Sequence, residues 1–284
     1  MDVVGGGAVM PQKRRRGAGR NLPAAIGVGL LLGGLVIGTL FTFRFGFVVL
    51  LTLVIGGGVV ELVRAVGKAE AHPPLLPLLA GTLAMELLAW FRGSGALAVA
   101  FLLTALACFV WRLADGPAGY LTDISTAVFV ALYVPFLAGF AVLLAVPDDG
   151  ARRVVAFIAT VVCSDVGGYA AGVVLGRHPM APTVSPAKSW EGFAGSAVAC
   201  VIGGTLMLTQ FFGASWWEGT LFGLAIVVTA TLGDLGESMI KRDLGIKDMG
   251  TLLPGHGGLM DRLDSLLPAA AVSWMLLSVF APVA

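Results

Sequence analysis

The stretch GDLGESMIKRDLGIKDMGTLLPGHGGLMDRLDS, Gly233–Ser265, decides how this chain is read. It is a charged island between two long apolar segments. It carries Asp234, Glu237, Asp243, Asp248, Asp261 and Asp264, six of the seventeen acids, together with Lys241, Arg242, Lys247, Arg262 and His256. Placed on a helix, Asp234, Glu237, Ser238 and Lys241 fall three, four and seven residues apart and share one face. Asp261, Asp264 and Ser265 repeat that geometry at the start of the following apolar segment. Pro254, Gly255, Gly257 and Gly258 between them let the backbone turn sharply and approach a ligand.

Outside the island the chain is very apolar. Of 284 residues, 57% are hydrophobic and 12% charged, against about 25% charged in soluble domains. A span of lipid hydrocarbon needs about 20 apolar residues. Segments of that kind run over 22–43, 45–66, 74–91, 95–113, 122–146, 151–175, 191–212, 216–240 and 265–283. Helix is required because backbone exposed to lipid has to satisfy its own hydrogen bonds. The expectation is therefore an all-α polytopic integral membrane protein with about nine transmembrane helices. Residues 1–21 read as a disordered basic tail, 22–146 as the N-terminal membrane helices, and 147–284 as the catalytic membrane region.

Charge sets the orientation. With the N-terminus inside, fourteen of the eighteen bases fall on the cytoplasmic side, and Arg44, Arg92, Arg152 and Arg153 on the other. The positive-inside rule then places the N-terminus and both polar loops, 176–190 and 237–264, in the cytoplasm of a cell membrane. A net charge of +1 offers no basic surface for nucleic acid. Cys108, Cys163 and Cys200 all lie in apolar runs without metal-ligand spacing and read as small core residues. Two acids fall inside spans. Glu61 has Arg64 one turn on and reads as a local pair or a snorkelling edge residue; Glu86 has no evident partner.

A second polar cluster precedes the island. Asp165 sits in a span, and a membrane carboxylate is costly unless it is paired, solvated or bound to a cation. The loop after it contains Ser185, Lys188, Ser189 and Glu191. The serines can donate to phosphate oxygens and Lys188 can neutralise one. The next helix start offers free N–H groups to an anion. Carboxylates from two helix ends flanked by bases suit magnesium, which takes one or two carboxylates plus substrate phosphates.

Ser238–Asp264 resembles the signature of the phosphatidate cytidylyltransferases (CDP-diacylglycerol synthases), S-x-x-K-R-x-x-x-x-K-D-x-G-x-x-L-P-x-H-G-G-x-x-D-R-x-D, without a departure. SPAKSWEG, from Ser185, is similar to a second element of the family with Ala187 in place of a common base. DVGGYAAG, from Asp165, is similar to a third with Gly168 in place of alanine. The resemblance implies transfer of CMP from CTP to phosphatidate, giving CDP-diacylglycerol and diphosphate. It also implies Mg2+, alone or with a second cation, and commonly a homodimer in the bilayer. On that basis Asp234 and Asp261 are expected to bind metal, with Asp165 beside them. Lys241, Arg242, Lys247 and Arg262 would hold CTP and the departing diphosphate, and Ser185, Lys188 and Ser189 the lipid phosphate, next to Glu191. His256, Gly257 and Gly258 would shape the nucleotide loop, and Asp248 and Asp264 orient bases or reach metal through water. Two rivals stand beside it: a CTP-dependent polyprenol or phytol kinase, and a cation-coupled transporter, for which the chain lacks an internal repeat.

Overall fold

A computed structural model describes residues 22–250 and 257–283. The expected basic tail and His256 lie outside them. The described residues form nine long helices: α1 (Leu22–Thr42), α2 (Arg44–Val66), α3 (Leu75–Arg92), α4 (Ser94–Arg112), α5 (Tyr120–Ala145), α6 (Gly150–Leu175), α7 (Trp190–Phe212), α8 (Trp216–Asp243) and α9 (Met260–Phe280). Helices α2–α9 are each long and apolar enough to cross a membrane, and α1 contributes the shorter apolar stretch Leu31–Thr42. The all-α polytopic architecture follows from the hydropathy pattern. Many large apolar side chains, such as Leu53, Leu102, Val174 and Val279, point outward, as a lipid-facing surface requires.

Three buried clusters hold the bundle. One joins Ile55 and Leu62 of α2 to Val130 of α5 and Met260 of α9. A second joins Phe47 to Phe157, Leu208, Phe222 and Leu277. The third packs Val48, Met85, Leu97 and Val142. In α5, Leu132–Phe136 widens into a π turn around Pro135, whose missing N–H and bulky ring break the regular ladder.

Helix α7 is held on two sides by close backbone contacts. A Cβ on Gly195 would lie 2.3 Å from Ala171 Cβ and 2.7 Å from the Gly167 carbonyl of α6. On its other side, a Cβ on Gly223 of α8 would lie 2.2 Å from the Cys200 carbonyl. Small residues let helices in lipid approach this closely, where van der Waals contact replaces the hydrophobic effect as the source of association. Gly213 ends α7 in the left-handed region at φ +64°, and Glu218 accepts the Ser215 N–H at 2.6 Å to start α8.

Two connections hold more than the sequence suggests. The segment after α6 forms an antiparallel hairpin, β1 (Pro179–Ala181) with β2 (Ser185–Ser189). The connectors at 67–73 and 114–121 meet at a buried ion pair. Arg112 Nε donates to Asp123 Oδ2 at 2.9 Å, and Asp123 Oδ1 accepts the His72 N–H. One carboxylate thereby ties the end of α4, the start of α5 and the loop before α3.

The α6–α7 seam leaves no room for a side chain at Gly195. Gly195→Leu is expected to lower the folded yield and the melting temperature of the purified protein. Gly95→Ala, at a position with open space around it, is expected to leave both unchanged. Equal melting of the two variants would remove the seam from the list of stabilising contacts.

Candidate active site

The site is built where the end of α8, the loop after it and the start of α9 meet the β1–β2 hairpin. Helix α8 brings Asp234, Glu237, Ser238 and Lys241 to one face, as their spacing predicts. Ser238 Oγ donates to Asp234 Oδ1 at 3.4 Å. Lys241 Nζ donates to Glu237 Oε2 one turn back and, at 2.8 Å, to Asp261 Oδ1 of α9. Glu237 is wholly buried, so this ammonium supplies the positive charge its carboxylate needs.

Asp261 is held from its other oxygen as well. Oδ2 accepts the N–H of Gly258 at 2.8 Å and of Met249 at 3.2 Å. Gly257 occupies the left-handed region at φ +86°, where a Cβ would also press on Asp261 Oδ2 at 3.2 Å. The signature loop is thus closed back onto the first turn of α9.

Glu61 completes this arrangement from beneath, and here the sequence expectation is corrected. Glu61 is buried and its Oε2 accepts the Met260 N–H at 3.1 Å; no ion pair joins it to Arg64 among the described residues. The carboxylate is wedged between two glycines. A Cβ on Gly250 would lie 2.2 Å from Oε1 and one on Gly258 2.7 Å from Oε2. Two of the signature glycines are therefore required by a glutamate from the second helix. In the sequence, the only trace of this role is an acid inside an apolar span.

A cavity of about 690 Å³ opens above these groups. Asp165 of α6, Asp234 of α8, and Asp261 and Asp264 of α9 line it. Lys241, Lys247, Asp248, Gly257 and Arg262 complete its wall. An adjoining cavity of about 370 Å³ shares Asp165 and Asp234 and adds Ser185, Lys188 and Ser189 from the hairpin. Lys188 Nζ lies 2.6 Å from Asp234 Oδ2, so the two polar clusters of the sequence form one site. Ser189 Oγ accepts the Gly192 N–H at 3.1 Å and caps α7, leaving its own hydrogen for another acceptor.

Three expected residues stand elsewhere. Glu191 lines neither cavity. Its carboxylate accepts the N–H groups of Arg177 and His178 and contacts His178 Nδ1, bracing the hairpin. Arg242 Nε donates to the Val184 carbonyl at 3.1 Å, binding the end of α8 to the hairpin turn. Gly258 is buried under the loop against Glu61.

Among the described residues no three His, Cys, Asp or Glu side chains enclose a metal by themselves. The donors are nonetheless all carboxylate oxygens, the ligands magnesium takes together with waters and substrate phosphates. Asp234 and Asp261 are each neutralised by a lysine ammonium at the cavity wall, so both already sit where positive charge is favoured. The residues fit a magnesium ion completed by a phosphorylated substrate. A protein-only cage would need more ligands than the site offers.

Comparison with known proteins agrees with this chemistry. The cytidylyltransferase family profile matches residues 23–280. The chain is 48% identical over 279 residues to the phosphatidate cytidylyltransferase of Mycobacterium leprae, covering 92% of this chain and 89% of that protein. It is 43% identical over 288 residues to the phosphatidate cytidylyltransferase of Mycobacterium bovis, covering 96% and 94%. The phosphatidate cytidylyltransferase of Brucella suis is 39% identical over 151 residues, 51% of this chain and 56% of that protein. With a match that runs from α1 to the end of α9 and relatives this similar across most of their length, the chain belongs to the cytidylyltransferase family.

Proposed function

We infer that this protein transfers CMP from CTP to phosphatidate, giving CDP-diacylglycerol and diphosphate in phospholipid biosynthesis. The observation that carries this reading is the signature segment itself. Lys241, Lys247, Asp248, Asp261, Arg262 and Asp264 of that segment converge on one cavity at the end of membrane helices, in a chain whose relatives carry that activity by name.

The chemistry needs no nucleophilic side chain. An oxygen of the phosphatidate phosphate attacks the α-phosphorus of CTP, the bond from that phosphorus to the bridging oxygen breaks, and the electron pair leaves with diphosphate. The protein's part is to align the two phosphates and offset their charge. Lys241, Lys247 and Arg262 face the space in which the triphosphate would lie. Ser185, Lys188 and Ser189 line the adjoining cavity and would hold the lipid phosphate. Asp234 and Asp261 would hold a magnesium ion, which would supply further positive charge to offset that of the phosphates. Asp165 and Asp264 border the same space and would bind through water or steady the bases. His256, with Gly257, would shape the nucleotide side of the loop. Glu61 is a positioning residue: it fixes the Met260 N–H and the two glycines against which the loop closes.

The outward apolar faces support placement in the bilayer. The distribution of bases supports a cytoplasmic site, which CTP could reach directly. A homodimer rests on the family resemblance alone.

Purified protein supplied with CTP, phosphatidate and magnesium is expected to form CDP-lipid and diphosphate. Release of CDP with a doubly phosphorylated lipid would instead identify a kinase. Asp234→Asn, which keeps the side-chain shape and the Ser238 contact, is expected to lose at least about a hundredfold in turnover while remaining folded. Near wild-type turnover in that variant would remove Asp234 from the metal site.

Glu61→Gln retains an acceptor for Met260 but places an amide against the backbone of Gly250 and Gly258. It is expected to lower kcat by about tenfold or more with little change in the KM for phosphatidate. Steady-state kinetics on the folded variant, with Glu61→Asp in parallel, would test this; an effect confined to melting temperature would mark Glu61 as structural only.

A further inference from the structure

Beside the polar site lies a groove of a different character. It has a volume of about 220 Å³ and runs between α1, α2, α5, α6 and α9. Every lining side chain but one is a hydrocarbon. The exception is Arg262, which also lines the polar cavity with Asp234 and Asp261. A single guanidinium thus stands where an anionic compartment meets an apolar one.

The direction of the groove follows from the helices. Along α9 it extends from Arg262 to Ala270, about 12 Å at the helical rise. Leu259 packs at Gly57, so on α2 the Arg262 end lies near Gly57, and Leu50 and Phe47 mark the far end. Leu32 and Val36 of α1 close the outside. Ala138, Ala141 and Ala270 contribute small side chains where larger ones would fill the space. Protein interiors are packed close to crystal density, so apolar space of this size beside a charged site calls for an occupant. Its chemistry is that of a chain with hydrocarbon length and an anionic head.

We propose that this groove holds an acyl chain of the phosphatidate substrate, with Arg262 at the junction between the groove and the polar cavity in which the two substrates' phosphates meet. The proposal rests on the reaction assigned above. It makes the residues of α2, α5, α6 and α9 that line the groove the determinants of acyl-chain length. Short chains would occupy only the Arg262 end; long chains would reach Leu50 and Ile158.

The test fills the far end from two walls. Leu50→Trp on α2 and Ile158→Trp on α6 are each assayed with dihexanoyl and dioleoyl phosphatidate in mixed micelles. For both variants, kcat/KM on the dioleoyl substrate is expected to fall about tenfold or more relative to wild type, since several methylene contacts are lost. Turnover of the dihexanoyl substrate should stay within about twofold, because its chains end before the block. Equal activity of wild type and variants on both substrates would overturn the groove and leave it to bulk lipid. Wild-type protein that forms no CDP-lipid from either substrate would instead overturn the reaction. Should both variants fail to fold, wild-type protein is irradiated with phosphatidate carrying a terminal diazirine. Crosslinks within 47–51 or 266–270 are expected, and crosslinks found solely outside the groove would reject the proposal.

Discussion

The ammonium of Lys241 is the interaction on which the site depends. It joins Glu237 of its own helix to Asp261 of the next. Asp261 in turn gathers the N–H groups of Met249 and Gly258. One cation therefore fixes the end of α8, the loop and the start of α9 relative to one another. In the low-dielectric surroundings of a membrane bundle, such a pair is worth keeping intact, because either partner left alone would be a buried charge. The cost of assembling so many carboxylates is offset by distributing bases among them, Lys188 on Asp234 and Lys241 on Glu237 and Asp261.

The rest of the fold serves to bring this corner to the boundary of two environments. The helices bury Phe47, Phe157 and Phe222 internally and turn Leu53, Leu102 and Val279 outward. A polar cavity and an apolar groove can then lie side by side, separated by the width of the last helix's first turns. Pro268 contributes to that boundary. Lacking an N–H, it cannot satisfy the Asp264 carbonyl, and the helix loosens at Asp264–Ser265. Gly233 lets α8 approach the same carbonyl, since a Cβ there would lie 2.3 Å from it.

Much of this was legible in the chain. Lipid imposes helix on every apolar run, so the spans follow from hydropathy, and the period of the helix places Asp234 above Ser238 and Glu237 above Lys241. Long-range partnerships were hidden. Glu61 lies 199 residues from Met260, and nothing local distinguishes it from an acid paired with Arg64. Glu191 reads as a substrate contact until the hairpin brings His178 back to it. The groove could not be read at all, because its walls come from separate helices and each contributes ordinary apolar residues. Glu86, set within an apolar span, has both its oxygens buried without a hydrogen-bond partner among the described residues.

The glycine contacts on the two sides of α7 carry a consequence for the chemistry. This helix contributes no carboxylate to the cavity, yet it packs against both α6, which bears Asp165, and α8, which bears Asp234. With glycines at both seams the three helices close on one another, and α6 and α8 touch directly beside α7. Helix α7 thus sets how tightly the jaws bearing the two acids can close. A methyl group added at one of these glycines would widen the jaws that carry the two acids, and displacements of about 1 Å are enough to slow aligned chemistry a hundredfold.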